Sequence, residues 1–223
     1  MSPSAADLLD AVRRGDAEAV TAALRAQPSL ASARDENGVS AYLWSHYSRQ
    51  LAIRDLLRAA LPSLDLFEAI AAGEDERALD LLSRQPALAT ARSGDGFTPL
   101  HFAGFFSRPV LAERLLVLGA DARDEARNPM HVTPLHSAVS ARCTPVVRLL
   151  LAAGAAVDAR QQGGWTALMG AASQGDDEIV ALLLAKGAAV APRADDGEDA
   201  AEKAASKGHA ALAARLRAAA PPQ

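Results

Sequence analysis

The sequence predicts an all-α solenoid of stacked helix-turn-helix units. Three observations predict it. A Thr-Pro-Leu-His run at Thr98–His101 recurs at Thr133–His136, and Thr166 follows Thr133 after 33 residues. Each run is followed by two short apolar helical patterns separated by a polar break, and the second pattern stops at a glycine: Gly119, Gly154 or Gly187. Half of the residues are hydrophobic but only 4% are aromatic, so the core is built from Ala, Leu and Val, which suits thin stacked helix pairs.

The unit at residues 96–121 sets the grammar. Thr98 is a good N-cap and Pro99 suits the first helical position, where a missing N–H and a fixed φ cost nothing. Leu100, Ala103 and Gly104 keep one face apolar and small. The break at Ser107-Arg108-Pro109 ends that helix, and Pro109 opens the second, which carries Leu111, Leu115 and Leu116. Gly119 supplies the left-handed residue that helix ends often need.

A period of 33 with Thr133-Pro134-Leu135-His136-Ser137-Ala138, followed by the Val146–Ala155 apolar run, resembles the ankyrin repeat. The resemblance covers essentially the whole chain, most closely over residues 91–190. It implies one elongated domain over 1–223, with short β-hairpin or loop fingers and with units starting near 5, 39, 63, 97, 132, 165 and 198.

Aligned on the Thr position, the units begin with Ala6, Ser40, Leu64, Thr98, Thr133, Thr166 and Asp199. The first unit lacks Thr-Pro and is charged at Asp7, Asp10, Arg13 and Arg14, so it is expected to cap the array, whose end unit has no neighbour on one side. The second unit is short: its second helix, Leu51 to Leu61, runs into Pro62 and leaves too little chain for a finger. Its aromatics are assigned to the core at Tyr42 and Trp44, with Tyr47 left for the groove. The third unit repeats the first, Asp65–Ala69 matching Asp7–Ala11 and Gly73 matching Gly15. The fifth is preceded by two extra residues between Asp121 and His131, and His131 stands where other fingers carry glycine, so that tip is expected to turn differently. The seventh, polar at Glu198, Asp199, Glu202 and Lys203, is the second cap, and Pro221-Pro222-Gln223 reads as a frayed tail.

Several function classes find no support. The formal charge is -4, and no run of basic residues forms a phosphate-tracking stripe. The N-terminus carries no signal pattern and no apolar run approaches membrane-spanning length. A lone Cys143 excludes an internal disulfide and fits a reducing compartment. The expectation is a cytoplasmic monomer with no membrane or nucleic-acid partner and no cofactor, and its Ala- and Arg-rich wording has a bacterial, high-GC look.

His101 and His136 invite a metal or catalytic reading, but no second ligand stands at ligand spacing. In the repeat they resemble, this histidine bonds the Thr of its own motif and the neighbouring finger. Asp176-Asp177-Glu178 and Asp195-Asp196 read as a helix N-terminus and a solvated turn. An enzyme using His131, His136 and Cys143 is the competing function, and it requires those three side chains to converge.

The resemblance places in a concave groove the residue before each Thr and the two residues before the glycine position that closes the first helix. These include Phe97, Phe105, Phe106, Val132, Ser140, Ala141, Trp165, Ser173 and Gln174. Aromatics are enriched at binding hot spots. Phe97, Phe105, Phe106, Val132 and Trp165, flanked by Arg108 and His131, are therefore the expected surface for a protein partner of a noncatalytic scaffold, one that holds or regulates an enzyme. The competing reading folds Phe105 and Phe106 onto the adjacent finger and helix.

Overall fold

The computed structural model describes residues 3–219, and the tail assigned to Pro221-Pro222-Gln223 lies outside them. Among the described residues there are fourteen α-helices in seven successive pairs: α1 (Ala5–Arg14) with α2 (Ala17–Ala26), α3 (Ala41–Tyr47) with α4 (Leu51–Ala60), and α5 (Leu66–Ala72) with α6 (Asp75–Arg84). Then come α7 (Pro99–Phe105) with α8 (Pro109–Val117), α9 (Pro134–Ser140) with α10 (Thr144–Ala152), α11 (Ala167–Ser173) with α12 (Asp177–Ala185), and α13 (Ala200–Ser206) with α14 (Ala210–Ala219). First helices pack on first helices from α1 through α13, and α8, α10 and α12 pack behind them in a second layer.

Close stacking follows from one small residue in each first helix. Ala11, Ser45, Ala69, Ala103, Ala138, Ala171 and Ala204 are all at least 98% buried. Large side chains such as Leu8, Leu100, Leu135 and Leu168 fill the space beside them, also fully or almost fully buried. The turn between paired helices needs a left-handed residue in every unit. Glycine supplies it four times, at Gly15, Gly73, Gly175 and Gly208, while Arg49, Ser107 and Arg142 adopt it at φ +54°, +56° and +54°. For these three the strain is about 1 kcal/mol each.

The N-caps are Ser4, Ser40, Asp65, Thr98, Thr133, Thr166 and Asp199. Two differ from the Thr alignment, because α1 begins before Ala6 and α5 begins after Leu64 at residues whose oxygens can cap. Ser4 and Asp65 each form a capping box, with Asp7 and Glu68.

The fingers are loops rather than hairpins of strands. Among the described residues, β structure is confined to an isolated bridge between Arg34 and Ser40. Each regular finger closes by one backbone bond across its base, such as Ser93 N–H to the Phe97 carbonyl at 2.9 Å or Gln161 N–H to Trp165 at 2.9 Å. In the odd finger that bond runs from Ala126 to Val132 at 2.8 Å, so the two extra residues lie inside the tip. His131 nevertheless turns through φ +51°, the same left-handed region as the glycines it replaces. Neighbouring tips are bonded in a row: Arg127 N–H to Gly96, Gln162 N–H to Met130, and Asp195 N–H to Gly163, at 2.8–2.9 Å. No finger interrupts residues 61–65 between α4 and α5.

Candidate functional site

The C-terminal halves of α7, α9 and α11 and the fingers that precede them enclose a cavity of about 490 Å³. Four of its aromatic rings, Phe97, Phe102, Phe105 and Phe106, belong to the fourth unit, and Tyr47 and Trp165 join them from the second and sixth. Its volume comes from the opposite wall, where α9 and α11 present Ser137, Ser140, Ala167, Gly170 and Ser173.

Five of the seven expected residues line this cavity: Phe97, Phe105, Phe106, Val132 and Trp165. The two phenylalanines divide between the competing readings. Phe105 stands 47% exposed, whereas Phe106 is half-buried, edge-on to His46 at 5.7 Å and to Phe105 at 5.1 Å. The other two expected residues are not part of the cavity wall. Arg108 lies back over Gly73, with its Nε 3.9 Å from Asp75 Oδ1. His131 is exposed on the enlarged tip, with Nδ1 3.5 Å from Glu125 Oε2. Ser140, Ser173 and Gln174 line the cavity as expected, and Ala141 instead packs against the core.

Phe102, absent from the expected set, is the hub of the aromatic wall. It is 3% exposed and meets Tyr47, Phe67, Phe97 and Phe106 with ring centroids 5.0–6.4 Å apart. The signal was its place between His101 and Ala103, since the equivalent Ser137 and Gly170 also line the cavity. Tyr47 does reach the groove, and its hydroxyl donates to Asp95 Oδ2 at 2.8 Å. Burial, and then the Asp95 carboxylate, push the phenol pKa far up, so it remains a donor.

One assignment needs refining and one correcting. Tyr42 is a core residue, and Trp44 packs against the core but stays half-buried: its indole N–H donates to Asp35 Oδ2 at 2.9 Å, and the Arg13 guanidinium lies 5.0 Å from the ring. Lys203 is not part of a polar outer face. It is 4% exposed, with Nζ 4.5 Å from the Trp165 ring, bonded to Asp196 and lying 2.9 Å from Glu198 Oε2. Burial opposes its charge, but the two carboxylates win and its pKa is raised.

His101 links its own motif to the next finger. Nδ1 accepts from the Thr98 backbone N–H at 3.2 Å, and Nε2 reaches the Val132 carbonyl at 2.8 Å. His136 repeats the first contact with Thr133 at 3.3 Å, while its Nε2 faces the Trp165 and Ala159 carbonyls without closing a well-formed bond. Burial drives both imidazoles down to about 4, so both are neutral at pH 7. Cys143 is buried at the N-cap of α10. Among the described residues no hydrogen bond or ion pair joins His131, His136 and Cys143, and no group of three His, Cys, Asp or Glu side chains is placed to hold a metal ion. No described helix is long and apolar enough to cross a membrane.

Comparison with known proteins agrees with this architecture. The family described as ankyrin repeats (3 copies) matches residues 66–161, and the single ankyrin repeat matches residues 163–195. The chain is 50% identical over 58 residues to human neurogenic locus notch homolog protein 4, covering 26% of this chain. It is 40% identical over 91 residues to the Drosophila melanogaster neurogenic locus Notch protein, covering 40% of this chain. It spans 3% of the length of each, so the likeness is confined to a stretch of repeats. With matched repeats over more than half its length, set in stacked helix pairs with fingers, the chain belongs to the ankyrin repeat family.

Proposed function

We propose that this chain is a noncatalytic scaffold that binds a protein partner in the groove between its first helices and its fingers. The observation that carries the reading is the cavity of about 490 Å³, walled by aromatic rings on one side and by small residues on the other. Ankyrin repeats generally act as protein-interaction modules, and a preformed groove on stacked helices loses little entropy when it is filled. Phe105 is the natural anchor, because a ring 47% exposed beside an open cavity gains buried area on contact.

The test is affinity capture from the native cell with the wild type and with a Phe105→Ala, Phe106→Ala, Trp165→Ala variant of unchanged circular dichroism. The expected result is a protein retained by the wild type and released by the variant, with at least about 30-fold weaker binding, as for the loss of a hot spot. Equal retention by both would place the interface elsewhere on the solenoid.

A further inference from the structure

Among the described residues that line the cavity, Asp95 carries the one formal charge, since His101 and His136 are neutral. Its oxygens each accept one neutral hydroxyl donor, Tyr47 at 2.8 Å and Ser93 at 2.6 Å. Three carboxylates of other fingers are matched by cations of this chain: Asp35 by Arg13, Asp124 by Arg92, and Asp196 by Lys203. Among the described residues no Lys or Arg side chain pairs with Asp95.

The last unit shows how this scaffold seats an ammonium. Asp95 precedes Thr98 by three residues, as Asp196 precedes Asp199. Lys203 follows Asp199 by four residues, the place that Phe102 takes after Thr98. At the end of the solenoid, then, the chain itself lays an ammonium between the Asp196 and Glu198 carboxylates and the face of Trp165. In the fourth unit one carboxylate remains, Asp95, while Phe97 stands in the place of Glu198 and Phe102 in the place of Lys203, and a cavity opens in front of these rings.

Resting on the groove reading above, we infer that the partner segment inserts a lysine side chain into this cavity, its ammonium against Asp95 and its stem along the Phe97, Phe105 and Phe106 rings. With each carboxylate oxygen already accepting one bond, a compact ammonium fits better than the two-pronged guanidinium. Aromatic faces and a carboxylate both favour a cation in a partly dry site.

The experiment compares short acetylated, amidated peptides identical except for a central lysine, norleucine or glutamate, with binding followed by tryptophan fluorescence. The lysine peptide is expected to bind about tenfold more tightly than the norleucine peptide, with glutamate weakest. That advantage shrinks in high salt. Asp95→Asn is expected to abolish the lysine advantage and leave norleucine affinity unchanged. Equal lysine and norleucine affinities in the wild type would overturn the inference and leave the groove reading standing. A lysine preference that survives Asp95→Asn would also overturn it. Binding of no peptide would overturn it as well, while the capture experiment decides the groove reading separately.

Discussion

Acid should weaken this fold well before its carboxylates titrate, through His101 and His136. Because Nδ1 of His101 accepts from the Thr98 N–H, its single ring proton sits on Nε2, which donates to the Val132 carbonyl. Protonating Nδ1 would set a donor against a donor at the N-cap of α7, in a ring 1% exposed. The pKa near 4 in the folded chain compares with about 6.5 when unfolded. The unfolded state therefore takes up protons that the native state refuses, so stability is full above about pH 6.5 and falls as pH drops toward about 4. Between about pH 7 and about pH 5 each ring removes about 2 kcal/mol, about 4 kcal/mol for the pair. His46, also driven down to about 4 by burial, adds to the loss with the same sign. The lowered carboxylates Asp35 and Asp196 lose their contribution only below about pH 4, so the two windows separate. Urea unfolding followed by circular dichroism at about pH 7 and about pH 5 measures the loss, and His101→Gln should shrink it by about 2 kcal/mol. Coincident unfolding free energies at the two pH values, or an undiminished loss in His101→Gln, would refute the reasoning.

Phe102→Ala, which empties a site 3% exposed at the centre of the aromatic wall, should cost about 3–5 kcal/mol in denaturant unfolding. Phe105→Ala should cost less than about 1 kcal/mol in the same assay, which makes it the cleaner probe of binding. At Gly94 an added Cβ would overlap the Asn37 carbonyl oxygen of the preceding finger. Gly94→Ala is therefore expected to lower stability by about 1–3 kcal/mol, whereas Gly197→Ala, with nothing nearby but φ +83°, should show only about 1 kcal/mol of backbone strain. Lys203→Met removes the cation from the Trp165 face, and in a Trp44→Phe background the indole emission should change while stability falls by about 1 kcal/mol. An unaltered spectrum would show that the contact is not held in solution.

The first helices were legible because each is written locally, with a Ser, Thr or Asp cap at its start and a left-handed residue in the turn that follows it. Even the missing finger could be read, since the chain from α4 to α5 is too short to project one. Failures came where a side chain's surroundings are supplied by another unit. Lys203 looks like a surface residue until Trp165, from the finger of the preceding unit, and Asp196, from the finger of its own, close over its ammonium. Trp44 looks apolar until Asp35 and Arg13 claim its edge and face. Arg108 and His131 flank the groove in sequence, yet one turns back over Gly73 and the other pairs with Glu125 at the tip.

The cavity is the deepest case of this kind. Its rings at Phe97, Phe105 and Phe106 could be named from the sequence, but rings alone do not make a groove. The opening exists because Ser137 and Gly170 occupy the position that Phe102 fills one unit earlier, and Ser140 and Ser173 the position of Phe105. Three consecutive units thus pass from large to small at the same two places on adjacent first helices, which pack directly together. A bulky residue at Gly170 should close the site without touching any of the predicted aromatics. Gly170→Leu therefore separates the two ingredients: if binding depends on the open space as well as on the rings, this variant should lose the partner as completely as the triple aromatic variant does. A folded Gly170→Leu protein that still retains the partner would show that the rings bind at the rim and that the cavity is incidental.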